Sequence, residues 1–569
     1  MIFRRRPKKI THSFIDPDQV LLDSQNTPGF NTQQFEGVIE RSTSKRAVTF
    51  FSILVVIIFT GFIFRLYHVQ IVQGEKFFTL SENNRLQKIP IFAERGVIFD
   101  RNGVPLAWNV PAPNDEPFLH RAYKEGGGYG HLLGYVGYPT RDKAGFFWRQ
   151  NIEGKTGIEK VFSEYLSGIN GSKVVEVDAL GKVTAENMMI PPEPGKNLNT
   201  TIHSGIQSAL YNAIKDLAES SRFQGGAGLI MNVKTGELIT MTSYPEFDAN
   251  VVAEGKDTET IRGYANDPRK VYLNRAISGL YTPGSTVKPY IALAALQEGV
   301  ITPQTTIFSS GRVEIPNRWD PDNPQVFRDW KREGHGPTNV YTAIAESVNT
   351  FFYAVGGGLG NQQALGISRI NDYLVRFGLG QPTGFELEND KKGIIPSPEW
   401  KLKTFQDGAW RQGDTYNSAI GQFGFQVSML QLLRAVGGIA TSGKLITPHI
   451  QLDQEGIQED QVRYVEGIDE KNYQIIRNAM RETVTRGTAQ VLNVSYVSVA
   501  AKTGTAQVGR GNSFMNSWTT GFFPAENPTY VFVVMMDTAP STNETGASST
   551  MRNVLDWIQN NDPDFFQNL

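Results

Sequence analysis

The sequence predicts a mixed α/β protein with one membrane-spanning helix near its N-terminus and two modules after it. Three observations predict this class: a single uncharged apolar run, a region of short apolar segments separated by turn signals, and a long region where helical periodicity lies between strand-like runs. The chain has 569 residues. This is too long for one compact domain, so two or three folded units are expected.

The apolar run predicts a transmembrane helix over residues 47–67. Its core, AVTFFSILVVIIFTGFIF, has 18 residues without a charge, and a helix needs roughly 17–25 residues to cross a bilayer. A cleaved signal peptide is disfavoured, because the run starts late and no small-residue cleavage site follows it. By the positive-inside tendency, residues 1–46 form a cytoplasmic tail and the chain after the span is extracytoplasmic. The basic residues that precede the span are Arg4, Arg5, Arg6, Lys8, Lys9, Arg41, Lys45 and Arg46.

Residues 68–195 are predicted to form a strand-rich module. Helical apolar spacing continues to about residue 72, so the membrane helix is expected to extend as a stalk. Short apolar stretches then alternate with turn signals such as Arg101-Asn102-Gly103 and Asn170-Gly171-Ser172. The proline-rich segment 191–195 indicates the boundary with the next module.

Residues 196–569 are predicted to form a larger domain with helices and strands. Residues 206–217 have amphipathic helical spacing, and residues 228–241 give two apolar runs around a turn, which is typical of a hairpin. Strand-like runs also close the chain, at 494–505 and 529–537. Because strand signals lie at both ends of this module, one sheet is expected to join its early and late segments. Between them we predict helical stretches over 286–298, 340–354, 366–377, 428–441 and 470–486.

Composition and missing motifs argue against several functions. A formal net charge of −2 offers no concentrated basic face, so no nucleic-acid partner is expected. The absence of cysteine excludes disulfides, thiol catalysis and thiolate metal sites. No histidine lies in HExxH and no serine lies in GxSxG. His335, in a Gly-His-Gly turn, is the best single histidine candidate, but a structural role is the simpler interpretation. We therefore predict no metal and no cofactor.

The favoured nucleophile is Ser285, with Lys288 as its base. A Thr-Pro-Gly segment precedes Ser285 and an apolar-periodic stretch follows it. This places Ser285 at or near a helix N-terminus, with Lys288 on the same face three residues later. If the amine is desolvated, its pKa falls and it can accept the serine proton. The Ser-x-x-Lys spacing opens a known signature that continues with Ser-x-Asn and Lys-Thr-Gly.

Each of these motifs is short, so order and context must select one set. Ser42-Thr43-Ser44-Lys45 also fits the first motif but is predicted to be cytoplasmic, and Lys234-Thr235-Gly236 fits the last but lies in the predicted hairpin turn. Ser347-Val348-Asn349 follows Ser285 inside a predicted helical stretch. Lys502-Thr503-Gly504-Thr505 follows a strand-like run, and a strand edge would present a backbone N–H to a substrate carbonyl.

The chain resembles class B penicillin-binding proteins from about residue 62 to residue 537. Two segments, Gly334-His335-Gly336 and SVNTFFY, look more like the cell-elongation type than the septal type. The resemblance implies a pedestal, or dimerisation-like, module over 68–195 and a penicillin-binding transpeptidase domain over 196–569. That domain would have the serine β-lactamase-like arrangement of helices around an antiparallel sheet. The segments that match in order are RLYHVQI, RGVIFDRNG, GIEK, GELITMTSYPEFD, NRAISGLYTPGSTVKP, SVNTFFY, NSAIGQ and AAKTGTAQ.

The resemblance implies a catalytic set of five residues, which includes Lys502 and four others. Ser285 would attack the D-Ala-D-Ala carbonyl of a donor stem peptide, and Lys288 would take its proton. Ser347 would relay a proton towards the leaving amine. Asn349 would orient Lys288 and the substrate amide. β-Lactams would acylate the same serine.

The Lys-Thr-Gly strand would bind the substrate. The resemblance implies that Lys502 and Thr503 hold the terminal carboxylate. Thr505, after Gly504, would contribute a hydroxyl, and its backbone N–H would form the oxyanion hole with that of Ser285. No cofactor is implied. The implied partners are peptidoglycan stem peptides, β-lactams, the bacterial cytoplasmic membrane, which the chain would cross once, and a SEDS-type (RodA/FtsW-like) glycan polymerase.

Two alternatives on the same fold stay open at this point. One is a hydrolase, either a DD-carboxypeptidase or a β-lactamase, and the pedestal segment argues against it. The other is a non-catalytic β-lactam sensor, which would retain the same residues. A bifunctional class A enzyme is disfavoured, because no glycosyltransferase-sized domain fits between the span and residue 200.

Overall fold

The computed structural model of the protein describes residues 44–77, 86–113, 116–143, 145–177, 183–317, 320, 322–452 and 461–567. Most of the predicted cytoplasmic tail, with Ser42 of the rival Ser-x-x-Lys motif, lies outside these residues. The chain divides into two compact units, one of residues 1–87 and 176–183 and one of the remainder. The predicted boundaries at residues 46, 67 and 195 stay predictions.

The first unit contains the apolar helix α1, Lys45–Tyr67. Ser44 caps it, because the Ser44 hydroxyl accepts a hydrogen bond from the Ala47 N–H at 3.3 Å. Helical geometry continues as a π-type turn over His68–Val72, as the predicted stalk requires. No side chain of α1 is buried. Within the described residues this is the one helix long and apolar enough to cross a membrane, which agrees with a single-pass membrane protein.

Most of the strand-rich module belongs to the second unit. Its helices are short: α2 Gly130–Leu133, α3 Gly157–Val161 and α4 Ser163–Ser167. The strands form a three-stranded sheet β1-β9-β10, a four-stranded sheet β11-β2-β3-β4 and the pairs β5-β8 and β6-β7. Their bounds are β1 Leu86–Ile91, β2 Ile98–Phe99, β3 Pro105–Val110, β4 His120–Tyr123, β5 Val136–Gly137, β6 Thr140–Arg141, β7 Phe147–Arg149, β8 Glu153–Gly154, β9 Gly171–Val177, β10 Val183–Ile190 and β11 Leu198–Asn199.

A buried ion cluster joins distant segments of this module. The Glu159 carboxylate accepts a hydrogen bond from Arg95 Nε at 2.6 Å and from Arg121 Nε at 2.7 Å. All three side chains are at most 1% exposed. Arg95 lies in RGVIFDRNG and Glu159 in GIEK, so two segments that the resemblance singled out meet in space. Buried charges need such partners, because an unpaired one costs several kcal/mol.

The larger domain is built on a five-stranded antiparallel sheet of order β13-β12-β22-β21-β20. Early strands thus pair with late ones, as predicted. Side chains alternate along β22: Phe532 and Val534 belong to one hydrophobic cluster and Val533 and Met535 to the other. The five strands are β12 Gly225–Asn232, β13 Leu238–Tyr244, β20 Ala500–Val508, β21 Phe514–Phe523 and β22 Tyr530–Pro540.

Helices cover both faces of this sheet. Helices α5 and α16 pack together on one face, while α14 packs against β12 and β22 from the other. The helices of this domain are α5 Ser204–Ser220, α6 Ala249–Glu254, α7 Thr258–Asn266, α8 Lys288–Gln297, α9 Val340–Ala345, α10 Asn349–Gly357, α11 Ile367–Arg376, α12 Pro398–Thr404, α13 Gln412–Ala419, α14 Met429–Ala440, α15 Glu470–Thr485, α16 Ala547–Asn561 and α17 Asp564–Gln567. Small two-stranded sheets lie outside the main sheet: β14 Ile307–Ser309 with β17 Gly336–Thr338, β15 Arg312–Ile315 with β16 Gln325–Arg328, and β18 Lys444–Ile446 with β19 Val462–Tyr464.

Two predicted elements were wrong in detail. The helix expected over 340–354 is two helices, α9 and α10, and the Ser-x-Asn motif lies at the break rather than inside a helix. Ser347 has φ 55°, a left-handed conformation that cannot continue a right-handed helix. The strand expected over 494–505 begins only at Ala500, because a 3₁₀ turn at Gln490–Leu492 and irregular backbone precede it.

Candidate active site

Ser285 lies in a 3₁₀ turn, Gly284–Val287, that leads directly into α8. Gly284 has φ 56°, and its N–H donates to the Gly421 carbonyl at 3.0 Å. A Cβ on Gly421 would lie 2.1 Å from the Gly284 carbonyl oxygen. Glycine is therefore required at residue 421 for the NSAIGQ segment to approach the nucleophile turn this closely.

Strand β20 lies against the other side of the same turn. A Cβ on Gly504 would lie 2.8 Å from Thr286 Cγ2 and 3.0 Å from the Pro283 carbonyl oxygen. The buried indole of Trp518, on β21 opposite Gly504, donates from Nε1 to the Thr282 carbonyl at 3.0 Å. The small residue in Lys-Thr-Gly thus allows the strand to pack directly on the Ser285 turn.

Lys288 is the first residue of α8 and is fully buried. Its Nζ donates to the Ser347 carbonyl at 2.7 Å and to Asn349 Oδ1 at 2.6 Å, and lies 3.3 Å from Ser347 Oγ. Among the described residues, no hydrogen bond joins Lys288 Nζ to Ser285 Oγ. The Ser-x-Asn turn therefore holds the amine, and Ser285 is half-buried. Hydrogen bonds between catalytic groups are often long without substrate.

Lys502 is the second fully buried amine of the site. Its Nζ donates to Ser347 Oγ at 2.8 Å and to the Thr503 carbonyl at 2.7 Å. The Ser347 hydroxyl therefore lies between two lysine amines that come from α8 and β20. The left-handed backbone at Ser347 lets its carbonyl face Lys288 while its hydroxyl lies between the two amines.

Burial shifts the pKa of both lysines. Desolvation lowers the pKa of Lys288 to about 7, and the negative charge of Asp329 partly opposes this shift. Desolvation, followed by the positive charge of Lys288, lowers the pKa of Lys502 well below its usual range. Near neutral pH the site can therefore hold a neutral amine beside its hydroxyl groups, which general-base chemistry requires.

Thr503 and Thr505 alternate with buried residues along β20, so their side chains share one face of the strand. Thr503 is half-buried, with its hydroxyl 2.5 Å from that of Thr488, and Thr505 is exposed. The Ser-x-x-Lys, Ser-x-Asn and Lys-Thr-Gly motifs thus come together at one place. The rejected motif Lys234-Thr235-Gly236 lies in the turn between β12 and β13.

One buried acid of the site, Asp329, was not among the residues predicted from the sequence. Asp329 follows β16, and its carboxylate accepts hydrogen bonds from the N–H and the hydroxyl of Thr350, next to Asn349. No motif marks this aspartate. His335, the best single histidine, lies near it with Nδ1 2.7 Å from the Glu346 carboxylate. In the described part of the chain no group of three or more His, Cys, Asp or Glu side chains could hold a metal ion.

Comparison with known families gives two matches in chain order. The penicillin-binding protein dimerisation domain matches residues 116–200, and the penicillin-binding protein transpeptidase domain matches residues 226–556. The second match spans more than half of the chain. The chain belongs to the penicillin-binding protein transpeptidase family.

Individual relatives agree with this assignment. The peptidoglycan D,D-transpeptidase MrdA of Haemophilus influenzae is 28% identical, over 93% of this chain and 95% of that protein. The crystal structure of Pseudomonas aeruginosa PBP2 in complex with WCK 5153 has a TM-score of 0.68 and 30% identity, covering 84% of this chain and 97% of the other. A chain from a peptidoglycan synthase complex that coordinates polymerization and crosslinking has a TM-score of 0.67 and 25% identity, covering 90% and 97%.

These matches confirm the predicted class B architecture, in which a dimerisation domain precedes a transpeptidase domain. They also confirm the mixed fold of helices and antiparallel sheet. Relatives named MrdA and PBP2 support the elongation type over the septal type. The predicted enzyme class, a D,D-transpeptidase, is the one that the curated relative carries.

Proposed function

We propose that this protein forms peptide cross-links in peptidoglycan through an acyl-enzyme on Ser285. Ser285 Oγ attacks the carbonyl between the two D-alanines of a donor stem peptide, and its proton passes to Lys288. The amide bond then breaks, and the terminal D-alanine leaves with a proton on its amine. An acceptor amine from a second stem attacks the ester, which forms the cross-link and returns a proton to Ser285.

The observation that carries this proposal is the meeting of two buried amines at the Ser347 hydroxyl. An amine with a pKa of about 7 can accept the Ser285 proton at physiological pH. Ser347 Oγ then offers a path for that proton towards the leaving amine. Asn349 holds Lys288 through its side-chain oxygen.

Lys502 and the two threonines of β20 suit the terminal carboxylate of the donor. The pKa of Lys502 is depressed when no anion is present. A bound carboxylate favours the charged amine, so substrate binding would draw a proton onto Lys502. Thr503 and Thr505 lie on one face of the same strand, where their hydroxyls and the Thr505 backbone N–H can meet the substrate.

A hydrolase on the same fold is the second candidate, and it differs in what resolves the ester. The experiment combines the full-length protein in detergent with a D-Ala-D-Ala donor peptide and an acceptor amine, and separates the products by mass. We expect the cross-linked amide, and Ser285→Ala should form none. Release of donor acid alone would favour the hydrolase. If no product forms and a separate assay shows that penicillin still labels the protein, a sensor is favoured.

We also propose that the catalytic domain lies outside the cytoplasmic membrane, with residues 1–46 inside. The basic residues before α1 support this orientation. Because the chain has no cysteine, thiol labelling of a single-cysteine variant reports the location of the introduced residue alone. A membrane-impermeant maleimide should label Glu164→Cys, which is exposed in the pedestal, in intact spheroplasts. It should label Ser24→Cys only after lysis, and the reverse pattern would contradict the orientation.

We further propose a multi-pass glycan polymerase of the SEDS type as partner. The similarity to a chain from a peptidoglycan synthase complex supports this, and α1 with the pedestal would form the docking surface. Purification of the full-length protein from its own membranes should retain such a polymerase. A variant in which α1 is replaced by an unrelated transmembrane helix should lose part of it. Equal recovery of the polymerase with both variants would contradict docking through α1.

A further inference from the structure

Helix α10, which begins at Asn349, takes its N-terminal cap from a different element. Val348 stands at the N-cap position and makes no side-chain capping bond. The Asp329 carboxylate, just after β16, instead accepts the Thr350 N–H at 2.9 Å and the Thr350 hydroxyl at 3.0 Å. A carboxylate is well suited to this place, because the first N–H groups of a helix lack intrahelical partners and its N-terminus carries partial positive charge.

Asp329 is held firmly in this position. Its side chain is 0% exposed. Its second oxygen accepts the Trp330 N–H at 2.9 Å and lies 3.6 Å from His335 Nε2. A buried carboxylate is tolerated only where hydrogen bonds hold it, so its bonds to Thr350 fix the start of α10.

The same segment also contacts the residue before the Ser-x-Asn turn. The Trp330 indole donates to the Glu346 carbonyl at 3.0 Å, and His335 Nδ1 lies 2.7 Å from the Glu346 carboxylate. Residues 329–335 therefore hold both ends of the turn 347–349. Support of this kind is needed, because the left-handed backbone of Ser347 is unfavourable for a non-glycine residue.

The turn 347–349 presents the acceptors that hold Lys288. Two of them, the Ser347 carbonyl and Asn349 Oδ1, lie within 2.7 Å of its amine. The charged group that acts on this amine is Asp329, whose negative charge favours the protonated form, and the Lys288 charge in turn lowers the pKa of the neighbouring Lys502 amine. Ser347 and Asn349 carry no charge.

We propose that Asp329 is a positioning residue for the acylation of Ser285. It caps α10 from outside the helix, which fixes the Ser347–Asn349 turn against Lys288. Its negative charge also favours the protonated form of the Lys288 amine. Asp329 itself does not touch the substrate. This inference rests on the proposed function, since it assumes that Lys288 is the base.

The test uses the full-length protein in detergent and the second-order rate constant for acylation by a fluorescent penicillin, from about pH 5 to about pH 9. Asp329→Ala removes cap and charge and should lower this constant about tenfold or more at neutral pH. Asp329→Asn keeps an oxygen for Thr350 but removes the charge. Lys288 acts as a base when neutral, and loss of a nearby negative charge favours the neutral amine. The acid limb of the profile should therefore move to lower pH by about half a unit or more.

Asp322→Asn is the matched control, because Asp322 is an exposed aspartate shortly before β16, and its profile should equal that of the wild type. A purely structural role would lower the amplitude of the Asp329→Asn profile and leave its acid limb in place, which would overturn the proposal. An unchanged rate for folded Asp329→Ala would overturn it too. If the wild type itself is not acylated, the proposed function fails instead, so the two failures are distinguishable.

Discussion

Ser347 is the residue where the chemistry of this site converges. Its hydroxyl lies between the amines of Lys288 and Lys502, and its carbonyl accepts a further bond from Lys288. Both amines are buried, so each loses much of its affinity for a proton. The protonation state of the lysines therefore determines when the site can work.

The pH dependence of acylation follows from the Lys288 pKa of about 7. The amine accepts the Ser285 proton only when it is neutral, which is the case above its pKa. The acylation rate constant should therefore rise through about pH 7 and level off above it. Stopped-flow measurement with a chromogenic β-lactam gives the profile. A rate that keeps rising up to about pH 10 would mean that the amine has an ordinary lysine pKa.

At this scale the sequence predicted which residues form the site but not how they are arranged, and their catalytic roles stay predictions. Order and context were enough to choose Ser285, Lys288, Ser347, Asn349 and Lys502, and the structure brings these residues together. Asp329 could not be predicted, because it belongs to no motif and its contact with Thr350 is tertiary.

At the scale of single elements, the site depends on a helix break and on close glycine contacts. The pattern of residues 340–354 is apolar at helical spacing, which made a single helix the natural prediction. Periodicity does not reveal one left-handed residue, since serine carries no strong signal for that conformation. The break at Ser347 is what exposes its carbonyl to Lys288.

Gly421→Ala tests the contact between the NSAIGQ segment and the nucleophile turn. The added Cβ would meet the Gly284 carbonyl at 2.1 Å, so one of the two segments must move. We expect a loss of about 2 kcal/mol or more in the free energy of unfolding, together with a slower acylation of Ser285. Denaturant unfolding and penicillin acylation measure the two effects.

Gly299→Ala is the matched control for this prediction. Gly299 also has positive φ, at the end of α8, but an added Cβ there meets nothing within 4 Å. It should cost about 1 kcal/mol for the backbone conformation alone and leave acylation unchanged. Equal effects of both substitutions on acylation would contradict the role of the close contact.

At the scale of the whole molecule, residues 88–175 and 184–195 of the predicted pedestal belong to the same compact unit as the predicted transpeptidase domain. The sequence predicted a strand-rich module followed by a mixed domain whose sheet joins early and late strands, and the order β13-β12-β22-β21-β20 agrees. The strand order itself was not predictable, since alternation along each strand says which residues face the core but not which strand is its neighbour.

The buried cluster of Arg95, Glu159 and Arg121 predicts where the pedestal is most sensitive. Glu159→Gln leaves two buried guanidinium groups without their counter-charge and should lower the free energy of unfolding by about 3 kcal/mol. Thermal or urea unfolding of the full-length protein measures this. Glu164→Gln, at an exposed glutamate on α4, should change it by less than about 0.5 kcal/mol. Comparable losses in both variants would contradict a stabilising role for the cluster.

The central claim is that Ser285 forms the acyl-enzyme, and peptide mapping tests it most directly. The full-length protein is treated with penicillin, digested and analysed by mass spectrometry. We predict a single adduct on the peptide that contains Ser285, no adduct in Ser285→Ala, and a strongly slowed adduct in Lys288→Ala. An adduct on another residue, or one that persists in Ser285→Ala, would contradict the account.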